Sequence, residues 1–132
     1  MKNVLVYVGK SPQTYKFAIH LIQEGFNVSV VVDNPAEAKI FLGEEFMGKV
    51  ERTPHHGISM NTLQRAGIEN AEMVLGLTGS ERENILCAEI ARVIYNKQKE
   101  QVICLLDDLK LADFYKDKWT VHINLHEVRE LL

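Results

Sequence analysis

Apolar positions along this chain follow two alternating patterns, and their alternation predicts the fold. Val4–Val8 is a continuous apolar run that stops at Gly9. Unbroken apolarity suits a strand buried on both faces, as in a parallel sheet. Tyr15, Ala18, Ile19 and Ile22 then recur at helical spacing, with Gly25 as the stop. Val28–Val32, interrupted only by Ser29, predicts a second strand that ends at Asp33-Asn34-Pro35. Ala36–Phe46 reads as a helix weakened by Gly43. Val50–Thr53 is a third strand, Leu63–Ala66 a short helix closed by Gly67, and Met73–Leu77 a fourth strand. Ser80 is an N-cap, and Glu83 three residues on completes a capping box. A long amphipathic helix follows through Ile85, Ala88, Ile90, Ala91 and Ile94. Val102–Leu106 is a fifth strand, Leu109–Tyr115 a helix, Trp119–Ile123 a sixth strand, and Leu125–Leu132 a final helix. This alternation predicts an α/β fold: a Rossmann-like, doubly wound, six-stranded, mainly parallel sheet with helices on both faces.

The 132 residues fit one domain of common size, about 100–150 residues. No Gly/Ser/Pro-rich linker, repeat or low-complexity tract divides them, so residues 1–132 are expected to form a single domain without a second lobe. A net charge of −3 gives no basic face for nucleic acid. No apolar run approaches the roughly 20 residues that span a bilayer, so direct membrane insertion is not expected. The start, Met1-Lys2-Asn3-Val4, lacks the features of a signal peptide, which predicts a cytoplasmic location. Cys87 and Cys104 each sit in an apolar run with no C-x-x-C spacing, and read as small buried hydrophobes.

The candidate chemistry lies where the first strand meets the first helix. A dinucleotide fingerprint there needs G-x-G-x-x-G: one glycine for the turn, one for approach of the pyrophosphate, one for helix packing. This chain has Gly9-Lys10-Ser11-Pro12-Gln13-Thr14. Gly9 fits, whereas Ser11 and Thr14 stand where the second and third glycines belong. Pro12 suits a first helical turn, and the amides there form a weak anion site. Lys10 could neutralise a phosphate; alternatively it is a solvated loop lysine. Asp33, 24 residues after Gly9, stands where an acid usually binds a ribose hydroxyl. Its other reading is a turn former before Asn34-Pro35. Gly9, Lys10, Ser11, Gln13, Asp33 and Asn34 are therefore the candidate ligand contacts of this half.

The run Leu63-Gln64-Arg65-Ala66-Gly67-Ile68-Glu69-Asn70-Ala71, continuing to Val74 and Thr78, has the form L-x-x-A-G-I-x-x-A-x-x-V-x-x-x-T. It resembles the TrkA-N domains, also called RCK or KTN, which are Rossmann domains that regulate potassium channels and transporters. The resemblance extends from Val4 to about Leu132 and is most specific from Leu63 to Asn84. It implies a sensor of NAD(H) or an adenine nucleotide that dimerises or builds a ring and acts on a membrane-embedded potassium channel or transporter subunit. It adds Thr78, Gly79 and Asn84 as site residues, with His56 where members usually carry an Asp. Members often have Ala-Arg in the fifth strand, and here the pair is Cys104-Leu105. Ser11, Thr14, His56 and Leu105 all depart within one crevice, which implies a weakened or altered nucleotide site, or one for a smaller ligand such as AMP or ADP.

Adjacent histidines such as His55-His56 point apart in an extended loop and chelate poorly, so no metal site is expected. Histidine's neutral-range titration leaves a pH-sensing role open. Three functions stand side by side: a potassium-system regulator with a degenerate nucleotide crevice, a ligand-free assembly subunit, and an NAD(P)-dependent oxidoreductase. A dehydrogenase needs a substrate region and an acid/base group; the one Tyr-x-x-x-Lys match, Tyr95 to Lys99, sits at the far end of the long helix. Catalysis is therefore not expected. Leu109, Leu111, Phe114, Tyr115 and Trp119, with Leu125, Val128, Leu131 and Leu132, are the candidates for a self-association face or for core.

Overall fold

A computed structural model of the chain describes residues 2–52, 57–122 and 124–132, with the side chain of Arg52 left out. His55 and His56 lie outside the described residues. Six strands, β1 (Asn3–Val8), β2 (Asn27–Val32), β3 (Val50–Arg52), β4 (Met73–Gly76), β5 (Val102–Leu105) and β6 (Thr120–His122), form one sheet in the order β3-β2-β1-β4-β5-β6. Every pairing is parallel, with Val4 opposite Val28 on one side and Met73 on the other. The sheet is thus wholly parallel rather than mainly so, in the doubly wound order.

Side chains alternate across a strand, and β1 divides the core accordingly. Val4, Val6 and Val8 face α1 (Pro12–Gln23), α2 (Pro35–Leu42) and α6 (Leu125–Glu130), meeting Tyr15, Ala18, Leu21, Leu42 and Val128. Leu5 and Tyr7 face α3 (Met60–Arg65), α4 (Glu81–Glu89) and α5 (Leu109–Tyr115), meeting Leu63, Ile68, Cys87, Ala88 and Trp119. Each large apolar side chain so buried is worth about 1.5–3 kcal/mol. Exposed ion pairs such as Lys39–Glu44 contribute at most about 1 kcal/mol, so the two apolar layers hold the fold. Trp119 and Val128 belong to this core, while Leu109 and Phe114 of α5 are exposed.

Helix starts follow the capping rules. Pro12 opens α1, and Asn34, Ser59, Ser80, Asp108 and Asn124 cap α2 to α6 by accepting from first-turn amides. Two helix expectations are corrected. The helix read over Ala36–Phe46 ends at Leu42, because Gly43 adopts φ +88°, and a short 3-10 stretch runs over Glu44–Lys49. The long helix read through Ile94 widens after Glu89 into a π-turn at Ile90–Ile94, closed by the Tyr95 amide donating to Ile90 O. Asn96 then reverses at φ +52°, and Lys97 turns inward. Its Nζ donates to the carbonyls of Ala71 at 2.8 Å and Glu69 at 3.1 Å. Desolvation pushes the Lys97 amine below the usual lysine range, partly offset by Glu69. The helix end is thereby pinned to the turn before β4, which helical periodicity alone does not reveal.

Cys87 and Cys104 are free, buried thiols. Burial pushes Cys87 up to about 12 and Cys104 also upward. The thiolate is the reactive form, so a thiol reagent at about pH 8, below the ordinary thiol range near 8.5, is expected to label neither in the folded protein. Both should react once it is denatured. Rapid labelling of the native chain would contradict this packing.

Candidate functional site

The carboxyl ends of β1 and β4 meet where the sheet order reverses, the position at which open α/β sheets bind ligands. Gly9 leaves β1 at φ +148°, and a Cβ there would stand 2.9 Å from Asp33 Oδ1. Glycine is needed because the end of β2 brings that carboxylate against the loop. Gly79 faces it from the β4 side: its amide donates to Gly9 O at 2.9 Å, and a Cβ there would stand 2.9 Å from Lys10 O. Ser11, Thr14, Thr78, Gly79, Leu105 and Asp107 line a crevice of about 200 Å³. Gly9, Lys10 and Asp33 lie outside this lining.

The loop's hydrogen-bond donors are largely committed to the protein. Thr14 Oγ1 accepts from the Gly9 amide at 3.1 Å and donates to Ser11 O at 2.8 Å. Thr14, expected only to add bulk, instead closes the turn from within. The Lys10 amide donates to Glu37 Oε1 at 3.1 Å, and the Tyr15 hydroxyl donates to the same oxygen at 2.6 Å. Burial first, and then this hydrogen bond, push the Tyr15 phenol well above the tyrosine range. Ser11 Oγ bonds Gln13 Oε1 at 2.7 Å. Pro12 has no amide to offer. Among the described residues, the Ser11 and Gln13 amides are what remains for an anion.

Asp33 differs from its neighbours. Its Oδ1 is buried without a hydrogen-bond partner among the described residues. Oδ2 lies 3.8 Å from Lys10 Nζ, whose side chain is half exposed, a pairing worth at most about 1 kcal/mol. Oδ1 is closed off against Gly9, whereas the side chain as a whole is 23% exposed, so a ligand hydroxyl such as a ribose supplies can reach the carboxylate only from its open side. The ribose end of a nucleotide fits these residues. The diphosphate end does not, because the Gly9 and Lys10 amides that would cradle it are already bonded.

The other sequence candidates have internal partners. Asn34 Oδ1 caps α2 by accepting from the Glu37 amide at 3.0 Å. Asn84, 1% exposed, accepts from the Thr78 amide and hydroxyl, each at 2.8 Å, and donates to Thr78 O and Leu105 O, each at 2.9 Å. It shapes the Thr78–Gly79 wall from behind. Thr78 and Gly79 do line the crevice. His56 lies outside the described residues. Tyr95 and Lys99 fall near the amino ends of the strands, away from the crevice.

Four acidic groups escaped sequence reading or were misread. Glu37 sits beside the loop. Glu81 Oε2 accepts from the amides of Asp107 and Asp108, at 3.1 and 2.9 Å, tying the β5–α5 loop to the start of α4. Asp107 lines the crevice wall. Glu83 does not complete the capping box: Ser80 Oγ accepts from its amide, but its carboxylate turns inward to accept from Tyr7 Oη and the Ile58 amide, both at 2.9 Å. The signal was Tyr7 itself, a hydroxyl in an otherwise aliphatic strand that requires a buried partner. Burial and then Glu83 push the Tyr7 phenol far up. Among the described residues no group of His, Cys, Asp or Glu could hold a metal ion, and no helix is long and apolar enough to cross a membrane.

A Trk system potassium uptake protein TrkA from Streptomyces coelicolor is 30% identical over 96 residues, which are 73% of this chain and 41% of that protein. The chain therefore spans about two fifths of that relative's length. The TrkA-N domain family matches residues 8–124, from the end of β1 past β6 and so across the whole crevice, and the chain belongs to that family.

Proposed function

We propose that this chain is a non-enzymatic regulatory module of a potassium channel or transport system, acting at the cytoplasmic side of a membrane-embedded partner. Its crevice takes the ribose portion of an adenine nucleotide or NAD(H) through a degenerate site. Family membership and the potassium-uptake relative support the transport role. The observation that carries ligand binding is the partly exposed Asp33 carboxylate at the switch point, beside the Gly9 turn and 3.8 Å from Lys10 Nζ. Gly9, Lys10, Ser11, Gln13, Asp33, Thr78 and Gly79 make the contacts; Asn34 and Asn84 hold the loops, and His56 follows β3 in the chain. An oxidoreductase has less support, since Glu37 and Glu81 beside the crevice are held by backbone amides rather than aimed at a reacting atom. Self-association is supported by the exposed Leu86, Val93 and Ile94 after β4 and Leu109 and Phe114 on α5.

A thermal-shift screen with adenosine, AMP, ADP, ATP, NAD and NADH tests the reading. A ligand at 100 times its dissociation constant adds about 2.7 kcal/mol. A rise in melting temperature with one of them, lost in Asp33→Ala, is the expected result. No rise with any, from a folded chain, favours the second reading, a ligand-free assembly subunit, which the internally bonded loop amides also support.

A further inference from the structure

We propose that Glu37 is a built-in anion that sets the ligand's charge: the crevice selects nucleosides, or nucleosides carrying little phosphate, and rejects diphosphates. The proposal rests on the reading that the crevice binds a ribose. Phosphate-binding loops work by presenting free backbone N–H groups to the anion. Here one of those groups, the Lys10 amide, is already held by a carboxylate oxygen at 3.1 Å. The same oxygen is fixed by Tyr15 Oη at 2.6 Å, and the Glu37 backbone is fixed by the Asn34 cap at 3.0 Å. A half-buried carboxylate so anchored is part of the scaffold, not a side chain that swings aside freely.

Charge around the crevice acts in the same sense. Asp33 and Glu37 flank the loop on one side, and Glu81 and Asp107 line the other. Facing them is Lys10, whose amine is half solvated and 3.8 Å from Asp33. A diphosphate would meet a net negative surface with two of its amide donors missing. A ribose hydroxyl would meet the open side of the Asp33 carboxylate, whose side chain is 23% exposed.

Titration calorimetry with adenosine, AMP, ADP and NAD on the wild-type chain, Glu37→Gln and Glu37→Ala tests this. Gln keeps an oxygen for the Lys10 amide and Tyr15 and removes the charge; Ala frees the amide and covers the case in which one variant folds poorly. The wild type is expected to bind adenosine more tightly than AMP and AMP more tightly than ADP. In both variants the ratio of ADP to adenosine affinity should rise by about tenfold, the scale of removing one nearby like charge in a partly solvated site. The gain should shrink at high salt. If adenosine binds but that ratio is the same in all three proteins, Glu37 is not the filter and the ribose reading survives. If no nucleoside or nucleotide binds any of the three, the ribose reading fails and this inference falls with it.

Discussion

Asn84→Ala is expected to lower stability by about 3–4 kcal/mol, among the largest losses for a single polar residue. The side chain makes four hydrogen bonds in a buried setting: two accepted from Thr78 and two donated to Thr78 O and Leu105 O. Removing it takes a partner from a buried amide, a buried carbonyl and a part-buried one, each loss costing up to about 1–3 kcal/mol, less what water entering the cavity recovers. Asn84→Asp isolates the donor half. The new carboxylate keeps the Thr78 bonds but faces two carbonyls 2.9 Å away. Burial and those carbonyls raise its folded-state pKa above the ordinary aspartate value of about 3.9. With the folded value raised, the variant is most stable below the unfolded pKa, where its proton reaches a carbonyl. It loses stability as pH rises through the folded value. Denaturant melts of both variants across pH measure this. Equal loss for Asn84→Asp at all pH values would contradict the donor geometry. The effect reaches the crevice, because the Thr78–Gly79 wall that Asn84 holds also donates to Gly9 O.

Much of the architecture was legible because the strands are buried on both faces. Val4–Val8 and Val28–Val32, interrupted only by Ser29, are nearly continuous in apolarity, and they pair in register as the neighbouring strands β1 and β2. The glycine and proline punctuation placed the turns. What stayed hidden depends on partners distant in sequence. Ile90–Ile94 keeps a helical period, and the π-turn there accompanies contacts distant in sequence: Lys97 to carbonyls 26 and 28 residues away and Arg92 to Lys118 O. The crevice divides in the same way. Gly9 and Asp33 were legible from their place after β1 and β2. Glu37 was not, since in sequence it is an unremarkable acid in the first turn of α2, and its bond to the Lys10 amide spans 27 residues. Thr14 reads as a lost glycine until its hydroxyl is seen closing the Gly9 turn. The Gly9 turn and Asp33 can thus be read from their places in the sequence, while the loop's internal bonds to Thr14 and Glu37 appear only in three dimensions.

Glu83→Ala is expected to cost about 2–3 kcal/mol, and its consequences should be local as well as global. Glu83 is 8% exposed, and among the described residues its carboxylate pairs with no lysine or arginine. It is held by two donors, Tyr7 Oη and the Ile58 amide, and by the start of α4, where the helix dipole favours an anion. Truncation leaves the hydroxyl of Tyr7, itself buried, and the Ile58 amide unpaired. Relief of burying a charge offsets part of that loss. Glu83→Gln keeps an accepting oxygen and should cost under about 1 kcal/mol, a normal neutral hydrogen bond replacing a charged one. Tyr7→Phe removes one of the two donors, so in the double variant Tyr7→Phe/Glu83→Ala the losses should fall short of additivity by about 1 kcal/mol. Hydrogen exchange supplies the local readout: protection of the Ile58 amide should fall in Glu83→Ala and persist in Glu83→Gln. Equal stability of Ala and Gln variants would mean the carboxylate is not holding the segment. The expected result instead makes Glu83 the tether that fixes the chain after β3 to the first turn of α4, and so sets how the Gly57–Ser59 segment approaches the carboxyl edge of the sheet.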